Sequence, residues 1–417
     1  MRTRETTLLR LLLKPLMILA CIGAFVLVAA RKTEAQVTQD MQPGVKSLPR
    51  LETPEDLLGY VAAHSGDASL VVYTVRADGK PDMRDSGIAF NAAQPMPLGS
   101  TIKVVTLATY AREVALGRLS PLEPVSVSDW ERFYVPGRDG LAHPAALAAL
   151  GWESDDLGFA VNRSATLQVD ALVGLMIRFS DNAAADWLLR RLGPDRFRET
   201  IAQAELTHQE MPQSILGLFL SWINHEQPVL TWNIVWRLLA LGPTRYADYV
   251  SMLESRYQRD DWRLAEWTWL LTNPTVQYER QSLLANKLFP KGAATDYARI
   301  MAGVVTGTFL SPVVSDIMRR HLEWPLQIPA FSDGFDAFGN KGGTLPGVLT
   351  DANFFVAHTG DFAGRPRVAV LFLRNLPEGV AAKLGQNALQ HFFDRKVATD
   401  AAFADRVART LRVRPRF

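Results

Sequence analysis

Ser100 is followed three residues later by Lys103, and no other serine in the chain has a lysine at that offset. A serine hydroxyl attacks a carbonyl effectively only when a nearby base takes its proton. Lys103 lies one turn along the helical pattern that begins at Ser100, and residues three apart are neighbours on a helix. It serves as that base when burial or a second cation lowers its pKa. Two further motifs follow in order, Ser180-Asp181-Asn182 and Lys341-Gly342-Gly343-Thr344. Lys341 and the positive end of the helix at Ser100 both favour a neutral Lys103. One such serine–lysine pair arises by chance about once or twice in a chain of average composition, so the ordered set of three motifs carries the argument. Acyl transfer through Ser100 is the chemistry it points to.

The elements that must hold these residues can be read from periodicity. Val104, Leu107, Ala108, Ala111 and Val114 recur at helical spacing from Ser100 to the stop at Gly117. Helical patterns over Ala165–Phe179 and Ala183–Leu192, the latter stopped by Gly193-Pro194, flank the second motif, which becomes a short connection. Lys341-Gly342-Gly343-Thr344 precedes a strand-like run. Thr53-Pro54-Glu55-Asp56 predicts a helix start running to Ala63, and valine-rich Ser69–Arg76 a strand ending in the turn Ala77-Asp78-Gly79-Lys80. Asn353–His358 and Arg367–Arg374 read as strands, and Gly379–Phe393 as a closing helix. Residues 201–325 are helical in pattern, and six of their tryptophans, Trp222, Trp232, Trp236, Trp262, Trp267 and Trp269, are expected to pack in the core.

Strands at both ends with helices between give an α/β (α+β) fold class. A mainly antiparallel sheet is formed by the N- and C-terminal segments, with flanking helices and an inserted all-helical region over about 99–334. The expected organisation is a catalytic domain over 53–395, a linker over 31–52 broken by Pro43, Gly44 and Pro49, and an Arg-rich tail over 396–417 that is frayed and solvated.

Residues 1–30 differ from the rest. Arg2, Arg4, Arg10 and Lys14 precede an apolar run from Leu16 to Ala30, followed by Arg31-Lys32, the pattern of a signal peptide or N-terminal membrane anchor. The run is short for a bilayer span, and Val28-Ala29-Ala30 and Thr33-Glu34-Ala35 offer small residues for cleavage, so cleavage is favoured. The expected location is extracytoplasmic, in the periplasm, with a possible tether to the inner membrane. Cys21, within this run, is the only cysteine, so the remaining chain has neither a disulfide framework nor a thiol nucleophile. A formal charge of +2, near neutral once the basic leader is removed, gives no case for nucleic acid as a partner.

The three motifs together resemble the active-site triplet of the penicillin-recognising serine enzymes, the class A β-lactamases and their D,D-peptidase relatives. The resemblance spans roughly residues 53–395 and is clear only around the motifs. It implies Ser100, Lys103 and Ser180 as catalytic residues, with Ser180 relaying a proton between Lys103 and the leaving nitrogen. Asn182 would bind Lys103 and the substrate amide, and Asp181 would be structural. The backbone N–H groups of Ser100 and Thr344 would form the oxyanion hole, and Lys341 would pair with a substrate carboxylate. No cofactor is implied; the partner is a small-molecule β-lactam or D-Ala-type peptide.

Two departures stand out. Gly342 occupies a place usually held by Thr or Ser, removing one carboxylate-binding hydroxyl that Thr344 can supply instead, while Gly342-Gly343 lets substrate backbone approach closely. The Glu-x-x-Leu-Asn loop that carries the deacylating glutamate of class A enzymes is absent, and Glu210 and Glu226 are weak substitutes. Tyr134 either lines the site mouth or packs in the core. His143, His208, His225 and His358 stand alone with no metal-binding spacing, and there is no Gly-x-Ser-x-Gly elbow. The expected function is a serine hydrolase of β-lactam or related amide bonds. A D,D-peptidase or esterase of the same fold is the alternative, and a non-catalytic envelope sensor or scaffold is the alternative of another class.

Overall fold

The computed structural model describes residues 48–272 and 277–413. The leader at 1–30, its cleavage sites and Cys21 lie outside the described residues. Among the described residues no helix is long and apolar enough to cross a membrane.

The first helix, α1 (Pro54–Ala63), starts where Thr53 and Asp56 cap each other: Thr53 Oγ1 accepts from Asp56 N at 3.2 Å and Asp56 Oδ2 from Thr53 N at 3.0 Å. Strand β1 (Ala68–Val75) is buried along its whole length. Val71, Tyr73 and Val75 enter one core cluster while Leu70 and Val72 enter another, the period-two alternation of a strand covered on both faces. Short strands at Pro81–Asp82 and Ile88–Phe90 pair with β1.

The chain then enters the helical region. A single turn, Gly99–Ile102, carries Ser100 into α2 (Lys103–Ala115). Helix α2 is buried on nearly all sides, its apolar Val104, Val105, Leu107, Ala108, Tyr110 and Ala111 together with Lys103, Thr106, Thr109 and Glu113, as befits the central helix of a bundle. Around the site lie α3 (Ala142–Ala149), α4 (Val169–Arg178), α5 (Asn182–Leu192), α6 (Ile215–Trp222), α7 (Ala294–Thr306) and α8 (Pro312–Leu322).

The chain returns to the sheet through β2 (Phe335–Leu345), β3 (Val348–Ala357) and β4 (Arg367–Leu373), then closes with α9 (Leu389–Thr399) and α10 (Ala401–Thr410). The strand order is β1-β4-β3-β2, antiparallel throughout, so the first long strand pairs with the last as the sequence predicts. Helix α7 packs on one face of the sheet and α9 on the other.

Five readings need correction. The motif at Lys341 lies within β2 rather than ahead of a strand. The closing helix is two, broken where Ala388 adopts φ 46°. The expected tail is folded as far as α10: Phe403, Ala404 and Val407 are buried with Leu57 and Phe393, because the apolar stripe of α10 finds a partner surface on α1 and α9. Trp232 and Trp236 are exposed by 40% and 59% and stack on each other, whereas Trp222 and Trp262 are buried as expected. Leu51, inside the predicted linker, is also fully buried.

Candidate active site

Thr101 and Thr350 tie the helical region to the sheet beside Ser100. Their hydroxyls lie 2.8 Å apart, and Thr350 Oγ1 donates to Leu98 O at 2.6 Å. Gly343, opposite Thr350 in the ladder, permits this approach: a Cβ there would sit 2.6 Å from Ser100 N and Leu98 O. Gly99 has φ +52°, a left-handed conformation glycine adopts without penalty, and packs against Gly343 and Thr344. The two backbone segments predicted to form the oxyanion hole therefore meet at one end of a cleft that Ser100 and Thr344 both line.

Ser180 is positioned by the start of α5, two residues ahead of Asn182. Asp181 caps that helix, accepting from Ala184 N at 2.6 Å, and is fixed by Trp130 Nε1 at 3.2 Å and His143 Nδ1 at 2.8 Å. With Asp181 pinned, Ser180 is held at φ 63°, a left-handed conformation that costs a non-glycine residue about 1–2 kcal/mol. His143, which sequence alone left isolated, is fully buried between Asp181 and Glu131. Burial opposes its charge, but the Asp181, Glu131 and Asp139 carboxylates together outweigh burial and hold its pKa up at about 9. Tyr134 is buried and stacks on His143, which settles it as a core residue.

Lys103 is completely buried at the meeting point. Its Nζ lies 3.1 Å from Ser100 Oγ, 3.2 Å from Ser180 Oγ, 2.6 Å from Asn182 Oδ1 and 2.5 Å from Ser180 O. Burial lowers its pKa to about 8, against the opposing pull of Asp181, Asp186 and Asp139. Lys341 Nζ donates to Ser180 Oγ at 3.0 Å and to Gly342 O at 2.7 Å. Burial and the neighbouring Lys103 push it well below the ordinary lysine value. Ser180 Oγ thus bridges the two lysines.

Residues 55–392 match the family model described as the β-lactamase enzyme family. The chain belongs to that family. Among solved structures, a β-lactamase from Sphaerobacter thermophilus is similar at 16% identity and TM-score 0.45, covering 80% of this chain and 96% of that one. A β-lactamase from Chitinophaga pinensis follows at 11% and 0.47, covering 82% and 98%. A mutant of PBP-A in an acyl-enzyme complex with penicillin G is similar at 15% and 0.43, covering 83% and 99%. No curated protein matches the chain.

Within this β-lactamase-family fold, the lobe of the cleft beside α6 is lined by Asp139, Phe179, Ile215, Phe219 and Phe289. Glu210 and Glu226 are not among the residues lining it. Glu210 is paired with the backbone of Lys291, and Glu226 with Arg256 and Trp262. Asp139 is the one carboxylate lining this lobe among the described residues, and its oxygens accept from Leu141 N and His143 N.

The opposite lobe is lined by Arg178, Lys341, Gly342 and His391. Behind it lies a buried polar network that the sequence reading missed. Asn340 Nδ2 donates to Asp351 Oδ1 and Asn353 Oδ1, both at 2.7 Å, and Asn353 Nδ2 donates to Asp394 Oδ2 at 3.0 Å. The available signal was weak: Asp351 and Asn353 interrupt an apolar strand on one face, and His391 and Asp394 stand one turn apart on a helix that also carries Gln390, Arg395 and Lys396.

Proposed function

We propose that the chain is an exported serine acyl hydrolase acting on β-lactam or related amide bonds, with Ser100 as the acylated residue. The observation that carries this reading is the continuous hydrogen-bonded chain Ser100–Lys103–Ser180–Lys341 in one cleft, its two lysines buried and its two serines half-buried. A neutral Lys103 takes the Ser100 proton as Oγ adds to the carbonyl carbon. The oxyanion is met by the N–H groups of Ser100 and Thr344, each worth roughly 3–4 kcal/mol of barrier. Collapse breaks the C–N bond, and the proton passes from Lys103 through Ser180 Oγ to the departing nitrogen. Lys341 attracts the substrate carboxylate, and Asn182 orients Lys103 and the amide. Hydrolysis of the resulting ester by water returns free Ser100.

A second reading, slow release as in a penicillin-binding peptidase, is favoured by the wall facing the acyl group. Ile215, Phe219 and Phe289 offer no base, and Asp139 already serves two backbone N–H groups. The export component rests on the basic-then-apolar leader in the sequence. Incubation with penicillin, followed by intact mass beside a Ser100→Ala control, tests the proposal. A Ser100-dependent adduct that clears as penicillin is consumed supports hydrolysis. A persistent adduct supports the second reading, and an adduct retained in Ser100→Ala removes Ser100 from the mechanism.

A further inference from the structure

Gly342 pairs directly with Asp351 across the β2–β3 ladder, and its missing side chain opens a view into the sheet–helix interface. A Cβ at Gly342 would meet Asp351 Oδ1 at 3.5 Å and His391 Cε1 at 3.9 Å, so a larger residue there would pack against the imidazole. His391 lines the same lobe as Ser100, Lys341 and Thr344, and its side chain remains 24% exposed. Its Nδ1 lies 2.5 Å from Oδ2 of the fully buried Asp351, whose other oxygen is held by Asn340. No described residue hydrogen-bonds its Nε2.

We propose that His391 is a specificity-determining residue for substrates bearing a carboxylate, donating Nε2–H to that group beside Lys341. The inference rests on the acyl-hydrolase reading for its substrate class, and names the second cation of the same site. Arg178 lines the lobe from α4, so three cationic side chains arrive from α4, β2 and α9. Among the described residues, the carboxylate acting on the imidazole is Asp351, which also accepts from Asn340.

The anchor depends on protonation. Asp351 on β3 favours the imidazolium; Lys341 on β2 and Arg395 on α9 oppose it, as does burial. The net effect holds His391 above the ordinary imidazole value. Asp394, one turn along α9, is pushed well above the ordinary carboxylate value by burial and by Asp351, which favours its neutral form and the charged form of Asp351 as counter-charge. When His391 loses its proton, Asp351 retains the remaining hydrogen on Nδ1, and Nε2 presents a lone pair to the carboxylate. Deprotonation converts an attractive donor into a repelling acceptor.

The test compares penicillin G with its methyl ester, which keeps the ring and removes the charge. Affinity is measured by calorimetry on Ser100→Ala, which binds without acylation, from pH 6 to 9. The acid is expected to bind roughly tenfold less tightly at pH 6 when His391→Ala is added, as befits loss of one charge-assisted hydrogen bond, and to recover in His391→Lys. The ester should change less than about twofold, and the advantage of acid over ester in Ser100→Ala alone should shrink as pH rises. Equal losses for acid and ester, or an acid-to-ester ratio that is flat with pH, would overturn the inference. Mass adducts on the native chain report separately on the acyl-hydrolase reading. Absent adduct with His391-dependent binding of the acid sinks that reading and keeps His391 as an anion anchor.

Discussion

A Cβ placed on Gly343 would lie 2.6 Å from the backbone nitrogen of Ser100, closer than real side chains approach backbone. Ser100 and the sheet are therefore in contact through a glycine that no other residue can replace without displacement. Gly343→Ala should push the Gly99–Ile102 turn away from β2 and separate the N–H groups of Ser100 and Thr344. Acylation is expected to fall at least a hundredfold, since removal of one oxyanion donor alone costs about 10²–10³ in rate. Stability should fall by about 1–3 kcal/mol from overpacking, measured by urea unfolding. An acylation rate within threefold of the native chain would show that the two segments are not coupled.

Lys103 loses its proton at about pH 8 in the folded chain. If the neutral amine is the base, the acylation rate at fixed penicillin should rise with pH through 8 and level off above it. Stopped-flow measurements from pH 6 to 9.5 read this directly. Lys103→Ala should slow acylation by about 10²–10⁴, the usual contribution of a positioned base, and should abolish the pH step. A variant that retains the step places the titrating group elsewhere.

His143 makes its own pH-dependent contribution, to stability rather than to rate. Burial disfavours its charge, but Asp181 and Glu131 raise its pKa from 6.5 to about 9. Because the folded value exceeds the unfolded one, the stabilisation is fully present below pH 6.5 and is lost as pH rises through 9. The melting temperature of the native chain should therefore decline across that window more steeply than that of His143→Gln. Parallel curves would mean that the pair Asp181–His143 does not titrate as described. His143→Gln should also weaken the hold on Asp181 and lower the acylation rate through Ser180.

Phe403 packs edge-on to Phe393 with ring centroids 5.6 Å apart, in the second core cluster. Phe403→Ala is expected to cost about 3–5 kcal/mol, the range for a buried aromatic truncated to alanine. Arg409→Ala, on the exposed side of the same helix, should stay within about 0.5 kcal/mol. Chemical denaturation of the two variants separates a folded C-terminal helix from a solvated tail, for which both changes would be silent.

The order and spacing of Ser100, Lys103, Ser180, Asn182, Lys341 and Thr344 were legible in the sequence because each motif is local and its chemistry depends on residue type. The period-two and helical patterns likewise marked β1, β4 and the central helix, since burial of one face leaves a regular apolar record. Other features depended on contacts between distant segments. Gly343 looked like freedom for substrate, yet its clash partners are Leu98 and Ser100. Asp181 and His143 are 38 residues apart and joined by burial in a common pocket. Asp351 and His391 became a pair only when α9 packed across the strand that faces Gly342. Residue types and local periodicity follow from the chain itself; which charges share a low-dielectric interior, and hence how Lys103, His143 and His391 titrate, was decided by the tertiary fold, because desolvation and Coulomb interaction depend on distance in space.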